Sequence, residues 1–306
     1  MIIDMNLRGI IPPLLTPLLD WQTLDVRGLE NLVERLLLGG VHGLFLLGTC
    51  GEGLSLDTVL QREIIDRVTG LAAKQIPLLV SITNTSLKES LKLADYAAER
   101  GCSGVVLSTP YYYPISQDNL KKYLAQIATR LVLPTFLYNI PSHTKIRFEM
   151  ETLKEAFAYP RFIGLKDSSG DLDYFAKVME FSKQRSDLRF LVGPEHLLIS
   201  AMKLGGHGGI CGGANLLPKL FVRIYDSVSA GDWKQTAILE QRLLALETLY
   251  TLFREGSFLA NMKCALSVLG ICNDALAEPL QSLPTGRISA IRERLEQLGI
   301  DTNTLE

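Results

Sequence analysis

Lys166 stands in an apolar stretch, Phe162-Ile163-Gly164-Leu165-Lys166-Asp167-Ser168-Ser169, that reads as a short buried strand ending in small polar residues. Burying an ammonium is costly, because desolvation disfavours the charged form. A lysine amine kept neutral in such a place can attack a carbonyl carbon and form a Schiff base. The alternative is a lysine at the strand's end that reaches solvent along its own stem or pairs with Asp167. The preceding strand, residues 134–139, ends in Tyr138-Asn139. Sequential strands are usually neighbours, about 4.8 Å apart. With both side chains inward, the Tyr138 phenol lies within proton-transfer reach of Lys166; otherwise it is a packing tyrosine with a satisfied hydroxyl.

A third stretch, Gly48-Thr49-Cys50-Gly51-Glu52, follows the apolar run at 42–47. Glycine turns link strands to helices in many folds, but successive amides in such a turn also form an anion-binding concavity suited to a carboxylate. Thr49 is placed to hydrogen-bond the Tyr138 hydroxyl and relay a proton. Other apolar runs end in Tyr111-Tyr112 and in Gly193-Pro194-Glu195, and Ile210 lies in a glycine-rich run.

These residues need elements to position them, and the pattern supplies eight. Strands are expected at 9–11 (continuing past Pro12-Pro13 as an irregular edge), 42–47, 77–82, 104–108, 134–139, 162–167, 188–192 and 208–214. Helices are expected from the Asp25 cap to Leu38, from the Asp57 cap to Lys74, and at 86–100, 116–130, 148–158 and 171–185. Continuous rather than alternating apolar strands mean a parallel sheet covered by helices. Eight units over residues 1–225 fit a closed (β/α)8 barrel, whose active site lies at the C-terminal ends of the strands. No Gly-x-Gly-x-x-Gly turn follows the first strand, which argues against a dinucleotide-binding fold. Helices at 233–254, 258–269 and 288–298 make residues 226–306 a C-terminal helical extension, packed on the barrel or on another subunit.

Composition narrows the class. The chain has 306 residues, 47% hydrophobic and 21% charged, with a formal net charge of -2, so nothing favours nucleic acid or an anionic membrane as partner. No apolar run approaches the roughly 18 residues of a membrane span. The first thirteen residues lack a secretory pattern. Cys50, Cys102, Cys211, Cys264 and Cys272 are odd in number and unpaired in spacing, which fits a reducing cytoplasm rather than a disulfide framework or zinc site. The four histidines form no metal-binding helix pair, so no metal or cofactor is expected.

The motifs Gly48-Thr-x-Gly-Glu52, Thr109-Pro-Tyr-Tyr112, Leu137-Tyr-Asn-Ile-Pro141, Gly164-x-Lys-Asp-Ser168 and Gly205-Gly-His-Gly208 stand in an order and spacing that resembles the dihydrodipicolinate synthase / N-acetylneuraminate lyase family over nearly the whole chain. The resemblance implies a (β/α)8 class I aldolase with a C-terminal helical region, a homotetramer or homodimer. Such enzymes form a lysine Schiff base with pyruvate or another 2-oxo acid and need no metal. It implies Lys166 as the Schiff-base lysine, Tyr138 as general acid/base and Thr49 as relay. The amides of Thr49 and Cys50 would bind the carboxylate, and Tyr112 would reach into a neighbouring subunit's proton relay. Ile210 would face the lysine pocket through its carbonyl, with Gly193 close by.

Three departures bear on the substrate. Cys50 replaces a threonine, so a hydroxyl is lost while the amide remains. His143 stands where the synthases carry an arginine that grips the second substrate's carboxylate. A neutral imidazole lacks that charged, bidentate fork. Glu195 falls near an acidic position that, in the neuraminate lyases, holds hydroxyls of a sugar-acid tail. The expected activity is therefore aldol cleavage of a sugar-derived 2-oxo acid to pyruvate and an aldehyde. The alternatives are condensation of pyruvate with aspartate semialdehyde, dehydration of a 2-oxo-3-deoxy acid, and a non-catalytic keto-acid sensor.

Overall fold

The computed structural model describes residues 7–72, 75–253 and 257–300. Eight parallel strands, β1 (Gly9–Ile10), β2 (Leu44–Leu46), β3 (Leu78–Ser81), β4 (Gly104–Ser108), β5 (Thr135–Asn139), β6 (Phe162–Asp167), β7 (Arg189–Val192) and β8 (Gly208–Gly209), run in the order β1-β8-β7-β6-β5-β4-β3-β2. Past β1 the chain closes the ring onto β2: Phe45 N–H donates to Pro12 O and Leu14 N–H to Phe45 O, each at 2.9 Å. The two prolines have no N–H to give, so β1 is short and its continuation is a bridge at Pro13 rather than a ladder. The fold is the expected (β/α)8 barrel with a C-terminal helical extension.

The helices are α1 (Val26–Leu38), α2 (Thr58–Ala72), α3 (Leu87–Glu99), α4 (Gln117–Ala128), α5 (Pro141–Thr144), α6 (Met150–Phe157), α7 (Leu172–Met179), α8 (Leu198–Lys203), α9 (Pro218–Ser229), α10 (Trp233–Tyr250), α11 (Phe258–Val268) and α12 (Ile288–Gln297). Their starts follow from local chemistry. Asp25, Ser86, Ser116, Asp171, Asp232 and Ser257 each accept a backbone N–H at a helix N-terminus, satisfying a donor with no partner inside the helix. Sequence pattern missed the four-residue α5, the six-residue α8 and α9, and extended α7 through what is a 3-10 turn at Glu180–Lys183. The expected helix ends at Lys74 and Arg254 lie outside the described residues.

Two apolar cores result. A large one lies between strands and helices; a smaller one fills the barrel with Ile11, Phe45, Leu79, Val106, Phe136, Tyr138, Leu191 and Ile210. The glycine of β8 is a steric requirement: at Gly208, φ is +133° and a Cβ would come within 2.0 Å of Gly9 O. Helix α9 runs through residue 225, joining barrel to extension without a break.

Candidate active site

The β5–β6 register sets Tyr138 opposite Lys166 and Asn139 opposite Asp167. Successive side chains of a strand face opposite ways, so one pair enters the barrel while the other faces out. Lys166 is 4% exposed. Its Nζ lies 4.0 Å from the centroid of the Tyr138 ring and 4.9 Å from that of Phe45, distances at which a cation is attracted to a ring face. Asp167 is not its partner. The Asp167 carboxylate accepts from Asn139 Nδ2 at 2.7 Å and from Ser169 Oγ at 2.8 Å. Burial pushes its pKa up, and those hydrogen bonds oppose the shift. Lys166 therefore neither reaches solvent nor pairs with its neighbour; it is the inward lysine.

The turn after β2 is tight. Leu47 and Glu52 take left-handed φ values of 58° and 54°, a sparsely populated region for residues with a Cβ. At Gly53 a Cβ would sit 2.1 Å from Leu47 O. Glu52 and Gly53 N–H groups donate back to Thr49 O and Gly48 O at 3.2 and 3.3 Å, and Thr16 Oγ1 donates to Gly51 O at 2.7 Å. Thr49 and Cys50 line a cavity of about 720 Å³ together with Tyr138 and His143. No hydrogen bond joins Thr49 to Tyr138 among the described residues, so the expected relay contact is absent from this geometry. Burial pushes the Cys50 thiol up to about 11; it stays protonated at neutral pH.

His143 lies on α5, with Nδ1 2.9 Å from Ser142 Oγ. Its pKa is held below the ordinary value by burial first, then by the Lys145 and Lys166 charges. The imidazole is neutral at pH 7. Ile210 packs in the barrel interior with Tyr138. Gly193 N–H donates to Asp167 O at 2.7 Å, and a Cβ there would meet Ser168 Oγ at 2.0 Å. Tyr112 does not line this cavity: it is 82% exposed, at φ 78°, its ring edge-on to Tyr113. Tyr111 lines the wall instead.

Glu195 lies behind the cavity wall, as do Lys166, Gly193 and Ile210. It does not line the cavity, is buried, and has both oxygens occupied: Gly213 N–H donates to Oε1 at 2.5 Å and Tyr250 OH to Oε2 at 2.6 Å. Each oxygen thus has a protein donor, and the carboxylate ties the β7 end to Gly213 and to α10. Sequence reading also missed Ser81, Thr83, Ser108 and Thr144, which add hydroxyls to the wall. Ser81 and Ser108 end their strands, so the strand-end rule could have found them. Ser257, Phe258, Leu259, Pro279 and Leu280 come from the extension and carried no signal. The extension lies on its own barrel's mouth.

A model of the dihydrodipicolinate synthetase family matches residues 6–298. This chain belongs to that family. The 4-hydroxy-tetrahydrodipicolinate synthase of Methanopyrus kandleri is 31% identical over 297 residues, 96% of this chain and 97% of that protein. The probable 2-dehydro-3-deoxy-D-pentonate aldolase YjhH of Escherichia coli is 31% identical over 265 residues, 86% of this chain and 87% of that one. Among solved structures, dihydrodipicolinate synthase from Bacteroides thetaiotaomicron superposes with a TM-score of 0.92 at 42% identity, covering 95% of this chain and 98% of that one. YagE from E. coli, in complex with pyruvate, gives 0.90 at 27% identity, covering 96% and 99%. As a member of the dihydrodipicolinate synthetase family, the chain is an enzyme, a lyase of aldolase type. Among its described residues no helix is long and apolar enough to cross a membrane.

Proposed function

We propose that this enzyme reversibly cleaves a 2-oxo acid with a hydroxylated, sugar-derived tail into pyruvate and an aldehyde, through a Schiff base on Lys166. The observation that carries the reading is the buried Lys166 Nζ 4.0 Å from the Tyr138 ring centroid, at the strand ends of a barrel whose relatives include aldolases and synthases. The Lys166 amine adds to the C2 ketone. Tyr138 gives its proton to the departing hydroxyl, which leaves as water, and an iminium remains. The Tyr138 oxygen then takes the proton of the C4 hydroxyl. The C3–C4 bond breaks into the aldehyde and an enamine, the iminium accepting the electron pair. Protonation of C3 and hydrolysis release pyruvate and restore the amine. The amides of Thr49 and Cys50 hold the carboxylate, the Ile210 carbonyl and Gly193 shape the lysine's surroundings, and Thr49 serves the proton path once substrate bridges it to Tyr138. Exposed Tyr112 suits the site of a second copy in a homodimer or homotetramer.

The tail is read from the wall. His143 on it is neutral, which suits hydroxyls better than a second carboxylate. Condensation of pyruvate with aspartate semialdehyde is the second reading, favoured by the names of the relatives at 31% and 42% identity. Without an arginine at position 143 it loses a charged hydrogen bond, about 1.5–3 kcal/mol or roughly ten- to a hundredfold in specificity.

Borohydride reduction in the presence of pyruvate, followed by peptide mass spectrometry, should place one adduct, on Lys166, and none in Lys166→Ala. An adduct on another lysine would sink the mechanism. Specificity constants for hydroxylated aldehydes and aspartate semialdehyde, compared across the histidine range of roughly pH 6 to 8, then decide the tail. A clear preference for aspartate semialdehyde at neutral pH would restore the synthase reading.

A further inference from the structure

Glu52 closes the Gly48–Gly53 turn and lines the cavity with it, while its carboxylate is bound by the extension. Its Oε1 lies 2.5 Å from Lys263 Nζ on α11, and neither side chain has any exposure. Its Oε2 accepts the Ala277 N–H at 2.7 Å, while Lys263 Nζ also donates to Ala275 O at 2.7 Å. Three segments thus meet at one buried ion pair: the turn, α11 and the 275–277 strap. Each continues into the cavity wall, through Thr49 and Cys50, through Phe258 and Leu259, and through Pro279 and Leu280.

A buried ion pair is a poor device for stability alone, since apolar residues of like volume do as well or better. What it supplies is direction, because the charged hydrogen bonds of Glu52 to the Ala277 N–H and of Lys263 to Ala275 O each fix a distance and an angle. Direction is what this turn needs. Glu52 is held at φ 54°, a conformation that persists only where its surroundings over-determine it.

We propose that the Glu52–Lys263 pair is a positioning device by which the C-terminal extension sets the turn's amides, and through them the affinity of the cavity for the carboxylate of a 2-oxo acid. The inference rests on the Schiff-base reading and adds that Glu52 and Lys263 govern carboxylate recognition. It predicts a selective defect. A keto acid should suffer when the pair is lost, and a plain ketone should not.

The test compares borohydride trapping at Lys166 by pyruvate and by acetone, which has a methyl in place of the carboxylate. In Glu52→Leu combined with Lys263→Met, the half-saturating pyruvate concentration should rise on the order of tenfold or more, the scale of a misplaced charged hydrogen bond, while that of acetone changes by no more than about twofold. Gln at both positions keeps hydrogen-bonding groups and should recover most of the pyruvate affinity. If the leucine–methionine variant does not fold, Glu52→Asp keeps the charge and shortens the arm, and should show the same selective loss. Equal weakening of both ketones, or no change in either, overturns the inference and leaves the Schiff-base reading standing. A wild-type protein that traps neither ketone overturns both.

Discussion

Two glutamates are sealed near the cavity, and the fold satisfies them differently. Glu52 meets a full counter-charge, Lys263, at 2.5 Å. Glu195 meets only neutral donors, the Gly213 N–H and the Tyr250 hydroxyl. Both carboxylates bear electrostatically on Cys50. At Glu195 burial, with the Glu247 charge behind it, outweighs the hydrogen bonds and pushes the carboxyl up to about 7. At the other site Lys263 pays for its burial with a lowered pKa, opposed by the Glu52 carboxylate. Burial raises the question of charge; the partner answers it. An acid poised near neutrality, tied to the extension by Tyr250, makes that contact sensitive to pH, whereas the Glu52 contact is an ion pair.

The largest contrast sets both glutamates against Tyr138, the proposed general acid/base. Tyr138→Phe should lower kcat about 10²–10⁴-fold, the usual contribution of a general acid/base, while the denaturation midpoint stays near wild type. Turnover within about twofold of wild type would return Tyr138 to a packing role.

Lys263→Met should be the most damaging change to stability. It strands Glu52 in the interior without its counter-charge, at a penalty of about 3–5 kcal/mol, read as a fall in unfolding free energy in urea. A loss below about 1 kcal/mol would mean that water or a rearranged donor reaches Glu52, and the contrast with Glu195 would dissolve.

Glu195 should instead show itself in the pH dependence. Its folded pKa, about 7, is raised from the ordinary 4.5. The proton is therefore bound more tightly in the folded state. This contribution to stability is complete below about 4.5 and is lost as pH rises from there through about 7, amounting to no more than about 3 kcal/mol. Glu195→Gln should flatten the stability profile over that window. An unchanged slope would assign the dependence to other groups.

The smallest effect is expected from Tyr250→Phe, which removes one of the two donors to Glu195. It should destabilise by about 1–3 kcal/mol at neutral pH. With the hydroxyl gone, the carboxylate is less favoured, so the fall in stability should move to higher pH. A shift to lower pH would show that Tyr250 accepts rather than donates.

Local pattern carried the barrel and singled out Lys166 and Tyr138, which the register sets opposite each other. Apolar runs mark strands whatever surrounds them, and the caps at Asp25, Ser86, Ser116 and Asp171 announce helix starts within three or four residues. The short helices α5 and α8 escaped because one or two turns are too little for a period to show. The surroundings of Glu195 escaped for a different reason: one of its donors, Tyr250, lies 55 residues away. Tyr112 and Tyr111 are adjacent and alike in type, and only the backbone at φ 78° separates the exposed one from the one on the wall.

By itself, then, the sequence determined the alternation of strands and helices, the glycines that close approaches demand, and the residues able to do chemistry: Lys166, Tyr138 and the Thr49 turn. These are local properties, set by side-chain type, by continuous apolar runs and by the 3.6-residue period of helices. The tertiary structure decided which way Lys166 points, because that depends on the register of β6 against β5. It also decided that the extension roofs its own barrel and that Glu52 is anchored to Ala277, 225 residues along the chain. Contacts at that separation leave no period in the sequence; they exist only once the ring has closed and buried charges have had to find partners.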